Sequence, residues 1–181
     1  MMGKLLRKQY LIIAVWILVF SVTSLGCQNT EIHSDAAKLQ KIMAMYSNYA
    51  QEFPLVEGIT VEELQQLQQQ AKNIVLVDVR SLEERAVSLI PGAITVDEFE
   101  SNLEQYRDNS IVIAYCTIGY RSGKYAEKWR QQGIKILNLE GSLLAWSHIR
   151  GKLIDADGIT NKIHVFGRQW QLTARNYQPV W

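Results

Sequence analysis

A chain of 181 residues, 48% of them hydrophobic and 20% charged, is long enough to bury one core and too apolar to be a disordered chain. Its 19 lysines and arginines stand against 18 acidic residues, a formal net charge of +1. That balance excludes a broad attraction to nucleic acid or to anionic membranes, so any selectivity for anions must be local.

Residues 1–27 read as a secretory signal: Lys4, Arg7 and Lys8 precede an apolar stretch from Leu11 to Phe20, with small residues near Gly26. The strictly apolar run is shorter than the roughly 20 residues of a membrane-spanning helix, which makes an uncleaved anchor the second reading. "SLGC", ending at Cys27, resembles the lipobox of bacterial lipoproteins, in which the cysteine after a glycine is lipidated and becomes the mature N-terminus. The resemblance implies lipidation of Cys27, a membrane-anchored protein and an extracytoplasmic place in the bacterial cell envelope. With Cys27 processed, Cys116 would be the only thiol of the mature domain, and no intramolecular disulfide could form.

Residues 28–53 form an extension in which Leu39, Ile42, Met43, Tyr46, Tyr49 and Phe53 recur at helical spacing. One amphipathic helix is expected, capped by Ser34 or Asp35, stopped before Pro54, and packed by its apolar face on the domain beyond it. From residue 54 to 152 strands and helices alternate. A short strand at Ile59 leads into a helix capped by Thr60, with Glu63 in the capping-box position. "NIVLVDVR" is a continuous apolar run of the kind buried on both faces of a sheet, ending in Asp78 and Arg80. "SLEERAV" gives a short helix, "IPGAITV" a turn and strand, "DEFESNLEQY" a helix and "SIVIAY" a second buried strand. "SGKYAEKWRQQ" (helix), "IKILNL" (strand) and "GSLLAWSHI" (helix) complete the pattern. It predicts an α/β domain of three layers, a mostly parallel central sheet with helices on both faces.

In such sheets ligand sites form beyond the carboxyl ends of the strands, and Cys116 directly follows the run Ile111 to Tyr115. Thr117, Ile118, Gly119 and Tyr120 connect it to a helix beginning near Arg121 or Ser122, with Gly119 free to take a positive φ angle. A loop bent over a helix N-terminus points its amides inward and adds the positive end of the helix dipole. A thiol there is depressed from about 8.5 toward roughly 3.5 to 7.5, and Arg121 adds a fixed positive charge.

"CTIGYR" resembles the CxxGxR active-site loop of rhodanese sulfurtransferases, and the resemblance extends from about Pro54 to Lys152. "VDVR" at Val77 to Arg80, the acidic and basic neighbours Glu84 and Arg85, "IPGA" at Ile90 to Ala93 and "LEGSLLAW" at Leu139 to Trp146 come in the family's order. Ser142 stands where the family commonly has a second glycine, and little consequence is expected from it. The resemblance implies that Cys116 attacks the outer sulfur of a small anionic donor such as thiosulfate and holds it as a persulfide. A thiol, a cyanide-like acceptor or a protein sulfur acceptor then removes it. Thr117, Ile118, Gly119, Tyr120 and Arg121 would cradle the donor. Arg85, or else Arg80, would be a second anion contact, and Asp78 would position the loop; structural ion pairing is the alternative for all three. No cofactor is implied.

Four residues separate Cys116 from Arg121, one fewer than in the phosphate-binding loop of tyrosine phosphatases, so the smaller cradle suits sulfur. His33, His148 and His164 are scattered singly, and no metal site is expected. An inert buried cysteine is the bland alternative. A persulfide carrier or redox sensor without turnover is the second functional reading, and a scaffold assembled through the Ser34 to Phe53 helix the third. Residues 153–181 form a C-terminal extension with Phe166, Trp170, Tyr177 and Trp181, a short strand in "KIHVF", and aromatic side chains expected to cover apolar surface of the domain rather than to gate a substrate.

Overall fold

The structure is a computed structural model that describes residues 34–70 and 72–181; the signal-like segment and Cys27 lie outside the described residues. Among the described residues no helix is long and apolar enough to cross a membrane. At the centre are β2 (Ile74–Asp78) and β4 (Ile111–Tyr115), paired in parallel along their whole length. Both are apolar on each face because each face is covered. Leu76, Ile113 and Tyr115 enter one core, whereas Val75, Val77, Val112 and Ala114 enter the other. With β1 (Gly58–Ile59), β3 (Ile94–Thr95) and β5 (Leu137–Leu139) they make a five-stranded sheet of order β1-β5-β4-β2-β3, every neighbouring pair parallel.

Two helices, α2 (Val61–Gln69) and α7 (Ser142–His148), bury Leu64, Leu143 and Leu144 on the first face. The second face is covered by α4 (Val96–Ser101), α5 (Leu103–Tyr106) and α6 (Tyr120–Arg130), through Phe99, Ala126 and Trp129. The expected capping box of α2 is complete, Thr60 and Glu63 each satisfying the other's backbone amide. The helix expected over "DEFESNLEQY" is instead two short ones, α4 and α5. They break at Asn102, whose side-chain amide donates to the Glu98 carbonyl at 2.8 Å and competes with the helical ladder. Between β2 and β3 lies α3 (Leu82–Val87), capped by Ser81 and Glu84.

The N-terminal extension is α1 (Asp35–Ala50), with Ser34 accepting from the Ala37 amide. Ile42 and Tyr46 are buried from it, and beyond its end Phe53 packs so closely on Gly123 of α6 that any β-carbon there would strike the ring. The C-terminal extension holds more structure than one strand. A hairpin joins β6 (Leu153–Asp155) to β7 (Gly158–Thr160), its turn closed by the Asp157 amide on Asp155 Oδ1. Next come β8 (Lys162–His164), a single 3-10 turn at Arg168–Trp170, and β9 (Gln178–Val180), which pairs in parallel with β8. The two extensions meet: Lys38 Nζ donates to the Thr173 carbonyl at 2.9 Å, and the Arg175 amide to Asp35 Oδ1 at 3.0 Å.

Candidate active site

Cys116 leaves the carboxyl end of β4 and enters a loop that closes at once into α6. Gly119 makes the closure with φ +102°, a conformation a side chain resists, and a β-carbon there would come within 2.7 Å of the Tyr46 ring. The Gly119 amide donates to Cys116 Sγ at 3.1 Å, and the Ser122 hydroxyl stands 3.6 Å from the same sulfur. The loop's carbonyls are held by α7, whose Leu143 and Leu144 amides donate to the Cys116 and Thr117 oxygens. The N-terminal amides of one helix thus fix the loop in the conformation in which an amide reaches the sulfur.

Three residues anchor this arrangement that the sequence motif does not single out. Asn138 on β5 donates to the Gly119 carbonyl at 2.9 Å and accepts from the Ser122 hydroxyl at 2.7 Å. Ser142, standing in place of a glycine, matters more than its sequence suggests. Its side chain is fully buried, accepting from the Cys116 amide at 3.1 Å and donating to the Leu139 carbonyl at 3.0 Å, with φ +46°. Tyr115, next to the cysteine, donates its phenol to Asp78 Oδ2 at 2.8 Å.

Burial by itself would raise the pKa of Cys116, which is 1% exposed. The Ser122 amide and hydroxyl, the Gly119 amide and the charge of Arg121 together outweigh it and hold the thiol below its ordinary value. This is the combination of amides and nearby cation that yields a nucleophilic thiolate.

The candidate charged residues divide into two groups. Asp78 and Arg80 form a fully buried ion pair at 2.6 Å, and Arg80 also donates to the Ser88 carbonyl. Arg85 is turned to the same carboxylate at 3.3 Å and to the Ile94 carbonyl. These three form one network that reaches the cysteine's neighbour Tyr115 through Asp78 and touches Glu84 through an Arg80 bond to its carbonyl. Glu84 is paired not with its neighbour Arg85 but with Arg121, through two hydrogen bonds of 2.7 Å. His164 Nδ1 lies 3.9 Å from Glu84 Oε1.

A cavity of about 320 Å³ opens over the sulfur. Its floor is Cys116 with Thr117, Ile118, Tyr120 and Arg121 of the predicted loop; its walls are Tyr49 from α1 and Phe166 and Trp170 from the C-terminal extension. The Arg121 guanidinium carbon sits 5.1 Å from the centroid of the Phe166 ring, and Trp170 stands edge-on to that ring. Among the C-terminal aromatics, Tyr177 and Trp170 pack on the core, and Phe166 and Trp170 also line the cavity over Cys116, so these two do more than cover the domain. Among the described residues no cluster of His, Cys, Asp and Glu could hold a metal ion.

Residues 60–149 match the family model of the rhodanese-like domain. A sulfurtransferase of Allochromatium vinosum is 32% identical over 99 residues, which are 51% of this chain and 90% of that protein. The chain belongs to the rhodanese-like family. A rhodanese-like domain protein of Staphylococcus aureus is 35% identical over 50% of this chain and 91% of its own, with a TM-score of 0.45. A thiosulfate sulfurtransferase of Pseudomonas aeruginosa, at 20% identity and TM-score 0.52, shares the fold over 71% of this chain and 25% of its own.

The rhodanese-like span contains Cys116, its loop, Glu84, Asn138 and Ser142, but not the aromatic walls. Tyr49, Phe166 and Trp170 all lie outside the matched residues. This family domain therefore has its mouth shaped by the segments that flank it, and nothing in the periodicity of those segments signals which rings turn toward the sulfur.

Proposed function

We propose that the protein is a sulfurtransferase that moves sulfane sulfur from a small donor to a thiophilic acceptor through a persulfide on Cys116. The observation that carries this reading is the sulfur itself, at a strand's carboxyl end, receiving the Gly119 amide and lying on the floor of a cavity that also contains Arg121. With thiosulfate, the simplest donor, the Cys116 thiolate attacks the outer sulfur and a new S–S bond forms. The donor's own S–S bond breaks, and sulfite leaves with the electron pair. The persulfide anion left on the enzyme inherits the same amides, and cyanide or a thiolate takes its outer sulfur to restore the thiolate.

We further propose, from the N-terminal sequence alone, that the protein works in the cell envelope, anchored through Cys27. Mass spectrometry of the intact protein after donor treatment tests the central step, with a gain of one sulfur atom expected on Cys116 and none in Cys116→Ser. Turnover of donor and cyanide, abolished in that variant, marks the enzyme. Stoichiometric persulfide without turnover would mark a carrier instead, and transfer that survives Cys116→Ser would overturn both.

A further inference from the structure

Resting on that reading, we infer that the donor this site selects is an organic one, a hydropersulfide or thiosulfonate carrying an apolar or aromatic body, in preference to thiosulfate. Two observations lead there. The first is charge. Among the described residues lining the cavity, Arg121 is the only charged side chain besides the cysteine, and each of its terminal nitrogens gives one hydrogen bond of 2.7 Å to Glu84. The pair is neutral, so a dianion brought beside the Cys116 thiolate meets one cation already shared with a carboxylate. Desolvating two negative charges there is costly. A donor that is neutral or carries a single charge avoids most of that cost.

The second observation is the wall. Tyr49 and Trp170 are partly buried and Phe166 is 50% exposed, so the three rings present apolar surface to the cavity. Phe166 is steered by Arg121 behind it and Trp170 beside it. A cavity of about 320 Å³ far exceeds the needs of a five-atom anion and falls in the size range of small organic ligands. Aromatic rings facing such a space hold flat apolar groups by stacking and burial.

The chemistry balances for both members of the class. From a hydropersulfide R–S–SH, the thiolate takes the outer sulfur with its proton, R–S⁻ leaves with the electron pair of the broken S–S bond, and Cys116 becomes Cys–S–SH. From a thiosulfonate R–SO2–S⁻, the sulfinate R–SO2⁻ leaves with the electron pair, and Cys116 becomes Cys–S–S⁻. In each case R remains against Tyr49, Phe166 and Trp170 while the sulfur is transferred.

The test compares kcat/KM for benzenethiosulfonate and for thiosulfate, with cyanide as acceptor and persulfide on Cys116 read by intact mass. Benzenethiosulfonate is expected to be better by about tenfold or more, the scale of one well-packed apolar group. Phe166→Ala should lower the ratio of the two constants by about tenfold, and Phe166→Tyr, which keeps the ring, should retain it. Because Phe166 is half-exposed, its loss leaves the core intact. Equal or better use of thiosulfate, or a ratio unchanged in Phe166→Ala, overturns this inference and leaves the sulfurtransferase reading standing. No sulfur gained from either donor overturns both.

Discussion

Arg121 and Glu84 lie 37 residues apart in sequence and meet through two parallel hydrogen bonds, Nη1 to Oε2 and Nη2 to Oε1, each 2.7 Å. Burial would raise the Glu84 pKa, but Arg121's hydrogen bonds, the Ser81 amide and the charges of Arg121 and Arg80 hold it below the usual carboxylate range. A carboxylate whose folded pKa lies under its unfolded value of about 4.3 stabilises the fold fully above that value, and the contribution is lost as pH falls through the folded pKa. Glu84→Gln should therefore cost about 1–2 kcal/mol at neutral pH, a figure discounted because Arg121 is partly solvated. The difference from the parent protein should shrink as pH is lowered below about 4. Thermal unfolding followed by circular dichroism at a series of pH values checks both parts; a gap independent of pH would mean that the pair contributes no charge-dependent stability.

The Ser122 hydroxyl divides its one proton between Asn138 Oδ1 at 2.7 Å and the sulfur at 3.6 Å, and the Ser122 amide also lowers the thiol's pKa. Ser122→Ala keeps the amide, removes the hydroxyl and frees Asn138 Oδ1. The Cys116 pKa should rise toward the free-thiol value of about 8.5. The measurement is the rate of iodoacetamide alkylation against pH: the parent protein's midpoint lies below that of a free thiol, and the variant's moves upward. Coincident profiles would show that the hydroxyl does not hold the thiolate.

At Ser142 two effects oppose each other. Its φ of +46° is strained by roughly 1–2 kcal/mol for a residue with a β-carbon, whereas its hydroxyl satisfies the buried Cys116 amide, worth about 1–3 kcal/mol if that amide is left bare. Ser142→Ala loses the hydroxyl and keeps the strain, so it should be the less stable variant. Ser142→Gly loses the hydroxyl but relaxes the backbone and should lie close to the parent. Urea denaturation of the three proteins gives the order directly, and alanine more stable than glycine would contradict it.

Asp78 receives Arg80, Arg85 and the Tyr115 phenol inside the protein. Asp78→Asn leaves the Arg80 guanidinium, itself 6% exposed as a residue, without its anion. Breaking one partner of a buried pair costs about 3–5 kcal/mol, which at this size lowers Tm by about 10 °C or more. A shift of only a degree or two in a thermal melt would show that the network is dispensable.

The central strands could be read from the sequence because Ile74 to Val77 and Ile111 to Tyr115 face a core on each side and are thus apolar without interruption. The α2 cap and the Gly119 turn were legible for a similar reason, since each depends on residues within a few positions of one another. What escaped depends on distance. Glu84 has Arg85 beside it, yet the fold hands Arg85 to Asp78 and brings Arg121 to Glu84. Asn138 sits mid-strand and gives no local sign that its amide will span Gly119 and Ser122. Asn102 did carry a visible warning, being a residue type that competes with helix, and its side chain causes the break there.

The hydrogen bonds from Lys38 to Thr173 and from Arg175 to Asp35, together with His148 Nε2 at 2.9 Å from the Leu172 carbonyl, buckle the two flanking segments into one belt around α7. Tyr49 rides on one half of the belt and Phe166 and Trp170 on the other. The halves hold each other in register, so loosening either one would disturb rings on both. Substrate preference can then drift through changes near the chain's two ends while the nucleophile, its loop and the sheet beneath them stay as they are.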